Sequence, residues 1–296
     1  MCMKQWFGAV AAVLLATVLL RWPEAAAAEA RAGLMLCLQT VIPSLFPFFV
    51  VVSMLLQLGV VNRLQRLFIP FMSPLFHLRG AAAAPLIAGL VGGYPSGART
   101  AAELYEEGLL SKEEAEVSLG FVNNCGPAFF LSYIGAGLLE SERLGLWLYL
   151  IHVCSALVTG MLLCRLAKLR PGAAILTPRL GAPKSFAQVF TAAVITSFSS
   201  VLNVCAFVVL FRAVSGVLPA GPGLGFFELI SGAAMLEPGF SGFLLAAALT
   251  GWGGLSVHCQ TLAVIGPLSA KWHWIGKGVQ AVLSVLIAWA VYPMLQ

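Results

Sequence analysis

Aspartate is absent from this chain of 296 residues, and glutamate alone supplies its 12 acidic groups. Charged residues make up only 10% of the sequence, whereas about 25% is usual for soluble domains. Hydrophobic residues reach 60%, and the mean hydropathy is +0.94. This composition argues against a soluble catalytic domain and predicts an all-α, polytopic integral membrane protein in contact with the lipid bilayer. The net charge of +5 is unevenly distributed, so it indicates membrane topology and not a nucleic-acid partner.

The sequence also lacks the residue spacings of metal sites and of common hydrolases. Its seven cysteines form no CxxC pair and no Cys/His pattern, which is typical of small buried membrane residues. The motifs HExxH and GxSxG are absent as well. We therefore predict no metal, no cofactor and no enzymatic activity. The cysteines are Cys2, Cys37, Cys125, Cys154, Cys164, Cys205 and Cys259.

Two glycine-rich breaks interrupt the apolar sequence. Residues 89–100 read GLVGGYPSGART, and residues 251–261 read GWGGLSVHCQT. Broken backbone at membrane depth is tolerated only where protein or a water-filled cavity surrounds it. Transporters build substrate sites from such discontinuous helices, whose N-termini offer free N–H groups. We therefore predict a membrane transporter whose site lies between the two breaks, near the bilayer midplane.

Charge predicts that equivalent helices of the two halves run in opposite directions. The leading span of the first half ends at Arg63 and Arg66, whereas that of the second half follows a basic linker, and cationic residues mark the cytoplasmic side. This arrangement, with residues 92–93 aligned over 253–254, is typical of an inverted repeat. Parity then requires one apolar segment to enter and leave by the same face, and we predict residues 81–94. The same logic sends the last helix outward from Lys271 and Lys277.

These observations predict four parts of the chain. They are an N-terminal membrane helix (1–23), a first half (24–167), a basic cytoplasmic linker (168–185) and a second half (186–296). A cleaved signal peptide is the alternative for the first part, because a run of four alanines follows it. At the start of the first half, the alternation of alanine with charged residues suits an interfacial helix over residues 24–39.

Several polar residues near the breaks are candidates for a site, and each has a structural alternative. Arg99 could neutralise a substrate carboxylate, or it could extend to the membrane interface or pair with Glu103 one turn on. His258 could donate to a carboxylate or carry a proton, or it could be a packing residue. Asn123 and Asn124 could bind ligand, or they could cap the helix that they interrupt.

Glu228 is the sole carboxylate in an apolar segment of the second half. It could bind a coupling cation or proton, or it could pair with Arg212. The predicted substrate-binding residues are Gly92, Gly93, Tyr94, Pro95, Ser96, Gly97, Arg99, Asn123, Asn124, Gly253, Gly254, Ser256, His258 and Gln260.

Six stretches resemble motifs of the gate-domain, or nucleoside-recognition, membrane proteins. They are PSLFPFF (43–49), GGYPSGAR (92–99), EEGLL followed by K and EEAE (106–116), NNCGPAFF (123–130), FELISG (227–232) and GGLSVHCQ (253–260). The resemblance covers nearly the whole chain. Arg99 stands where lysine is common in the family, and Asn-Cys-Gly (124–126) stands where a serine is usual, which leaves the substrate open more than the fold.

The resemblance implies a transport role in the mother cell of an endospore-forming bacterium. There the sporulation branch of the family moves dipicolinate across the membrane that surrounds the developing spore. A nucleoside carrier is the second hypothesis, and a membrane scaffold for spore assembly is the third. The paired breaks argue against a scaffold, which has no need of them. A homo-oligomer is compatible with each of these hypotheses.

Overall fold

The structure is a computed structural model that describes residues 3–58, 60–170, 185–215 and 221–295, and every regular element in these ranges is helical. The α-helices are α1 (Met3–Arg21), α2 (Pro23–Leu36), α3 (Ile42–Gln57), α4 (Val60–Phe76), α5 (Ala83–Gly92), α6 (Ser96–Glu106), α7 (Lys112–Val122), α8 (Glu142–Leu166), α9 (Phe186–Ser215), α10 (Leu229–Ala233), α11 (Phe240–Trp252), α12 (Gly254–Val264) and α13 (Lys271–Val291). Two π-helical segments, Cys37–Val41 and Phe129–Leu138, and three 3-10 turns, Gly80–Ala82, Pro222–Phe226 and Tyr292–Met294, complete the described secondary structure.

Five helical stretches within the described ranges are long and apolar enough to cross a membrane. They are Pro23–Leu55, Glu142–Leu166, Phe186–Ser215, Phe240–Val264 and Lys271–Met294. A bent helix pair would make a sixth. The prediction of an all-α polytopic membrane protein is thereby confirmed. Helix α1 contains a shorter apolar segment, Ala12–Arg21, and its place as a membrane helix stays a prediction.

Helix α2 is not a separate interfacial helix, as the sequence suggested for residues 24–39. It continues through the π-helical turn Cys37–Val41 into α3, so that the stretch forms one span of 33 residues. Its polar residue Glu29 accepts a hydrogen bond from Arg212 Nε of α9 at 2.8 Å. The charge that favoured an interfacial position is therefore paired with a cation on the neighbouring helix.

Helices α5 and α6 form the first helical hairpin. Helix α4 bends by 112° into α5 through the turn at residues 77–79, and α6 then folds back along α5. The two hairpin helices approach closely, because a Cβ added to Gly97 would lie 3.0 Å from Gly89 Cα. A Cβ on either glycine would also collide with Val122 O at the end of α7. The predicted re-entrant piece, residues 81–94, is one arm of this hairpin, and its entry into the membrane stays a prediction.

The two halves repeat the same order of elements. In the first half the hairpin is followed by α7, which begins with a Ser111/Glu114 capping box, and by a non-helical break at residues 123–126. In the second half a smaller hairpin over residues 222–236 is followed by the break between α11 and α12 at Gly253. The break at Gly253 therefore corresponds to residues 123–126, and not to residues 92–93 as the sequence alignment suggested. The opposite membrane orientation of the halves stays a prediction.

Helix α13 packs with one face against α7, α8 and α11. It reaches the first half at a backbone contact, where a Cβ on Gly276 would collide with Gly120. It reaches α11 where a Cβ on Gly251 would lie 2.6 Å from Ala281 Cα. Small residues allow helix backbones to approach this closely in membranes. The predicted linker, 168–185, lies almost wholly outside the described residues.

Candidate functional site

The tip of the first hairpin lies between the breaks of the two halves. Gly93 has φ 75° and ψ −172°, a conformation that is essentially restricted to glycine, and a Cβ on it would lie 3.1 Å from Gly126 N in the first break. The next residue, Tyr94, donates a hydrogen bond from its hydroxyl to Thr250 O of α11 at 3.3 Å. A Cβ on Gly253 would lie 3.2 Å from the same hydroxyl oxygen. One hairpin tip therefore contacts both breaks.

A cavity of about 60 Å³ lies beside this tip, and we call it the central cavity. Both halves and the flanking helices α3 and α9 line it, mostly with apolar groups. Because one water needs roughly 10–15 Å³ of such volume, the cavity has room for a few waters. Its lining residues are Leu45, Phe48, Phe49, Val91, Gly92, Gly93, Tyr94, Cys125, Gly126, Ala128, Phe129, Val204, Glu228, Leu229, Ile230, Ser256, Val257 and Gln260.

Three polar side chains of the central cavity, Glu228, Ser256 and Gln260, come from the second half. Gln260 is buried, and its Oε1 has no hydrogen-bond partner within the described structure. A buried amide oxygen without a partner costs free energy, so a ligand or water that donates to it would be favoured. Ser256 lies at the start of α12, where its N–H donates to Phe227 O of the second hairpin at 2.9 Å. Gly254 makes the same contact possible, because a Cβ there would lie 3.0 Å from Leu229 N.

Glu228 is the one carboxylate that lines the central cavity. It is 2% exposed, and its two carboxylate oxygens accept hydrogen bonds from the N–H groups of Ile230 and Ser231 at the start of α10. The alternative of an ion pair with Arg212 is wrong, because Arg212 pairs with Glu29 instead. The Glu228 carboxylate therefore accepts hydrogen bonds from backbone N–H groups and forms no ion pair in the described ranges.

Lys277 lies fully buried behind the hairpin tip. Its Nζ donates to Gln280 Oε1 at 2.8 Å and lies 3.4 Å from Tyr94 Oη. No carboxylate oxygen lies within 4.0 Å of this ammonium in the described ranges, which contain all 12 glutamates. The expectation that Lys277 marks the membrane boundary is wrong, since the approach of α13 to α7 carries the lysine into the interior.

A network of neutral polar groups surrounds the Lys277 ammonium. Gln280 Nε2 donates to Asn124 Oδ1 at 3.0 Å, and Asn124 Nδ2 donates to Phe121 O at 2.7 Å. In the same break, Asn123 Nδ2 donates to Thr261 Oγ1 of α12 at 2.6 Å. Asn124 thus caps the interrupted helix of the first half, and both asparagines link this half to the second half.

A second cavity, of about 220 Å³, lies on the other side of Tyr94. We call it the hydroxyl cavity, because serine and threonine side chains of α3, α6 and α9 line it together with Arg99. Arg99 is exposed and belongs to none of the ion pairs in the described ranges. Its lining residues are Phe49, Val52, Ser53, Ala88, Gly92, Tyr94, Pro95, Ser96, Arg99, Thr100, Thr196, Ser197 and Ser200.

His258 lines neither cavity. Its Nδ1 lies 2.8 Å from His273 Nε2, and its ring packs between Trp252 and Trp274, with centroid distances of 4.5 Å and 4.2 Å.

The structure therefore separates the predicted site residues into groups. Gly92, Gly93, Tyr94, Ser256 and Gln260 line the central cavity, while Pro95, Ser96 and Arg99 line the hydroxyl cavity. Gly97 packs inside the hairpin, and Asn123, Asn124, Gly253 and Gly254 form the breaks.

Lys277 is the residue that sequence reasoning missed. A signal for it exists, because it stands between Gly276 and Gly278 inside an apolar stretch, one turn before Gln280. A charge in such a position is costly unless it faces the protein interior. The sequence alone made the same lysine look like a flanking cation at the start of the last helix.

The interrupted spans, the two hairpins and a buried ammonium beside an internal cavity define a transporter-like integral membrane protein. Residues 38–216, more than half of the chain, match the model of the family described as "Gate: Nucleoside recognition". The chain therefore belongs to the gate, or nucleoside-recognition, family of membrane proteins.

A curated relative is the sporulation integral membrane protein YlbJ of Bacillus subtilis (strain 168). It is 28% identical to this chain over 223 residues, which cover 70% of the chain and 55% of the relative. The chain thus spans about half the length of this relative. No solved structure matches the chain significantly.

Proposed function

We propose that this protein carries a small carboxylate anion across a membrane and that dipicolinate is its substrate. The observation that carries the proposal is the fully buried Lys277, whose ammonium has no carboxylate partner beside the tip that contacts both breaks. A buried cation is costly unless an anion or a set of hydrogen bonds compensates it. A substrate carboxylate that displaces Tyr94 would supply that anion. The similar Bacillus protein is named for sporulation, which agrees with a spore metabolite as substrate.

Glu228 gives the central cavity a negative charge of its own, and this charge has a consequence for an anionic substrate. A dicarboxylate that enters beside an ionised Glu228 meets like-charge repulsion, which a bound proton or cation removes. We therefore propose Glu228 as the residue that couples transport to a proton or cation. In this scheme Lys277 attracts the substrate, and Glu228 makes its binding depend on the coupling ion.

Uptake of labelled dipicolinate into proteoliposomes tests the proposal. Charge-assisted hydrogen bonds contribute about 1.5–3 kcal/mol, so Lys277→Met should weaken apparent affinity by roughly ten- to a hundredfold or more. Lys271→Met is the matched control, because Lys271 starts the same helix but is exposed, and its uptake should be unchanged. Equal affinity in wild type and Lys277→Met, at equal protein in the membrane, would remove the basis of the proposal.

A nucleoside is the second candidate substrate, and the lining of the central cavity favours it. Phe49, Phe129 and Tyr94 present aromatic surfaces there, and Gln260 offers an amide for hydrogen bonds. An aromatic base with neutral polar groups suits such a lining. Saturable uptake of labelled uridine by the same vesicles, without dipicolinate uptake, would favour this candidate over the first.

A further inference from the structure

The hydroxyl cavity has the features of a binding site in its own right. Thr196, Ser197 and Ser200 lie on one face of α9, at spacings of one and four residues, and Ser53 of α3 faces them. Hydroxyl groups on a membrane helix need partners, because lipid offers none. Ser200 Oγ donates to Thr196 O of its own helix at 2.9 Å, whereas Ser197 Oγ has no partner in the described ranges. Arg99 of α6 also lines the cavity.

Hydrogen-bonding capacity in this cavity is left unused by the protein. Ser197 is 2% exposed, and its Oγ has no partner in the described ranges. Ser53 Oγ accepts from Gln57 Nε2 at 3.3 Å, so its own hydroxyl proton is free to be donated. The Arg99 guanidinium carries five N–H donors and no partner carboxylate within 4.0 Å. The cavity therefore offers donors and positive charge, which together suit a carboxylate.

The hydroxyl cavity and the central cavity share a wall. Phe49, Gly92 and Tyr94 line both, and the Tyr94 hydroxyl lies 3.4 Å from Lys277 Nζ. An anion held by Arg99 is thus separated from the Lys277 ammonium by the hairpin tip. A sideways movement of Tyr94 would connect the two cations along one path.

We propose that the hydroxyl cavity is a water-filled anion site, in which Arg99 and Ser197 of α9 hold a water-soluble carboxylate before it passes Tyr94. The inference deepens the proposed function by adding a first binding position to the pathway. It predicts a positive potential inside the cavity, which can be measured without any transported substrate.

The test uses single cysteines in a full-length, cysteine-free background reconstituted in phosphatidylcholine vesicles. Ser200→Cys is treated with a negatively charged sulfonate thiol reagent and with a positively charged ammonium reagent of similar size. A cleft lined by charge of one sign raises the local concentration of the opposite sign by a factor of ten or more. We therefore expect the sulfonate to react about tenfold faster, and Arg99→Gln should abolish this preference. Millimolar dipicolinate should slow the reaction in the protein that retains Arg99.

Ser199→Cys is the matched control, since Ser199 is the neighbouring exposed residue of α9 and does not line the cavity. It should show no charge preference. Slow labelling of Ser200→Cys by both reagents would overturn the anion site. So would equal rates for the two reagents that stay the same in Arg99→Gln. Neither outcome would affect the Lys277 result. Vesicles of anionic phosphatidylglycerol form the last arm. Because an anionic surface repels the sulfonate at every position, the rates at Ser200→Cys are divided by those at Ser199→Cys in the same vesicles. A sulfonate preference that disappears only there after this correction would identify a lipid headgroup as the occupant and contradict the soluble carboxylate.

Discussion

The two cavities on either side of Tyr94 differ in how accessible their nearest cation is to water. The hydroxyl cavity is the larger, at about 220 Å³ against about 60 Å³, and its Arg99 is exposed. The central cavity is mostly apolar, and the nearby Lys277 is fully buried. Water screens a charge in the first environment much more than in the second. In the proposed pathway, the accessible cation would therefore attract anions, whereas the buried cation would make their binding strong and selective.

The largest expected effect comes from a change that disrupts the packing of the α5–α6 hairpin, whose tip separates the two cavities. Gly89→Val places a side chain against Val122 O and should prevent α5 and α6 from packing, which costs about 3 kcal/mol or more. Thermal unfolding in detergent should show the loss. Gly278→Val is the control, because Gly278 lies in a helix and has no neighbour within 4 Å. Similar unfolding temperatures for the two variants would argue against a tightly packed hairpin.

A smaller effect is expected when the wall is opened but the fold is kept. Ser256 lines the central cavity and is 1% exposed, so Ser256→Cys should react slowly with the sulfonate reagent. Adding Tyr94→Ala should join the cavities and raise the labelling rate at least about tenfold, by the same focusing of anions as in the hydroxyl cavity. Tyr94→Phe keeps the ring and should leave the rate low. Fast labelling with Tyr94 in place would show that the two cavities are already one.

A single neutral hydrogen bond in the central cavity should contribute only modestly to the apparent affinity for the substrate. Gln260→Leu removes one neutral hydrogen bond to a ligand, which is worth about 0.5–1.5 kcal/mol and corresponds to a two- to tenfold weaker apparent affinity. Cys259→Ala changes the exposed neighbour outside the cavity and should have no effect. Concentration dependence of dipicolinate uptake provides the measurement. An unchanged affinity in Gln260→Leu would place the substrate elsewhere.

The smallest effect distinguishes charge from shape in the hydroxyl cavity. Arg99→Lys keeps the positive charge but loses the planar fork that suits a carboxylate. The sulfonate preference at Ser200→Cys should therefore stay within about threefold of the parent, because it depends on the potential. Protection by dipicolinate should weaken, since it depends on geometry. A complete loss of the preference in Arg99→Lys would contradict a purely electrostatic origin.

Features encoded by neighbouring residues could be predicted from the sequence. The break after Val122 and the long apolar spans were found because apolar runs and the residues that interrupt them act within a few positions. These elements establish the fold class without any knowledge of packing.

Features that depend on contacts distant in sequence could not be predicted. Glu29 was taken for an interfacial residue because its partner, Arg212, lies 183 residues away. Lys277 was taken for a boundary residue because its burial depends on the contact of Gly276 with Gly120 in the other half. Arg99 and the central cavity were placed in one site, since sequence does not show that Tyr94 separates them. Each error concerns where a charge lies and not which helix carries it.

The contact between Gly120 and Gly276 has a consequence for how such a protein moves. These residues belong to opposite halves, and neither position leaves space for even a methyl group. This close backbone contact therefore fixes the position of α7 relative to α13, and the two helices cannot slide past each other. Movement that opens a path is left to the hairpin tips, which touch the breaks through single hydrogen bonds. A covalent cross-link between α7 and α13 at this seam should leave transport intact, while one between the Tyr94 tip and α11 should stop it.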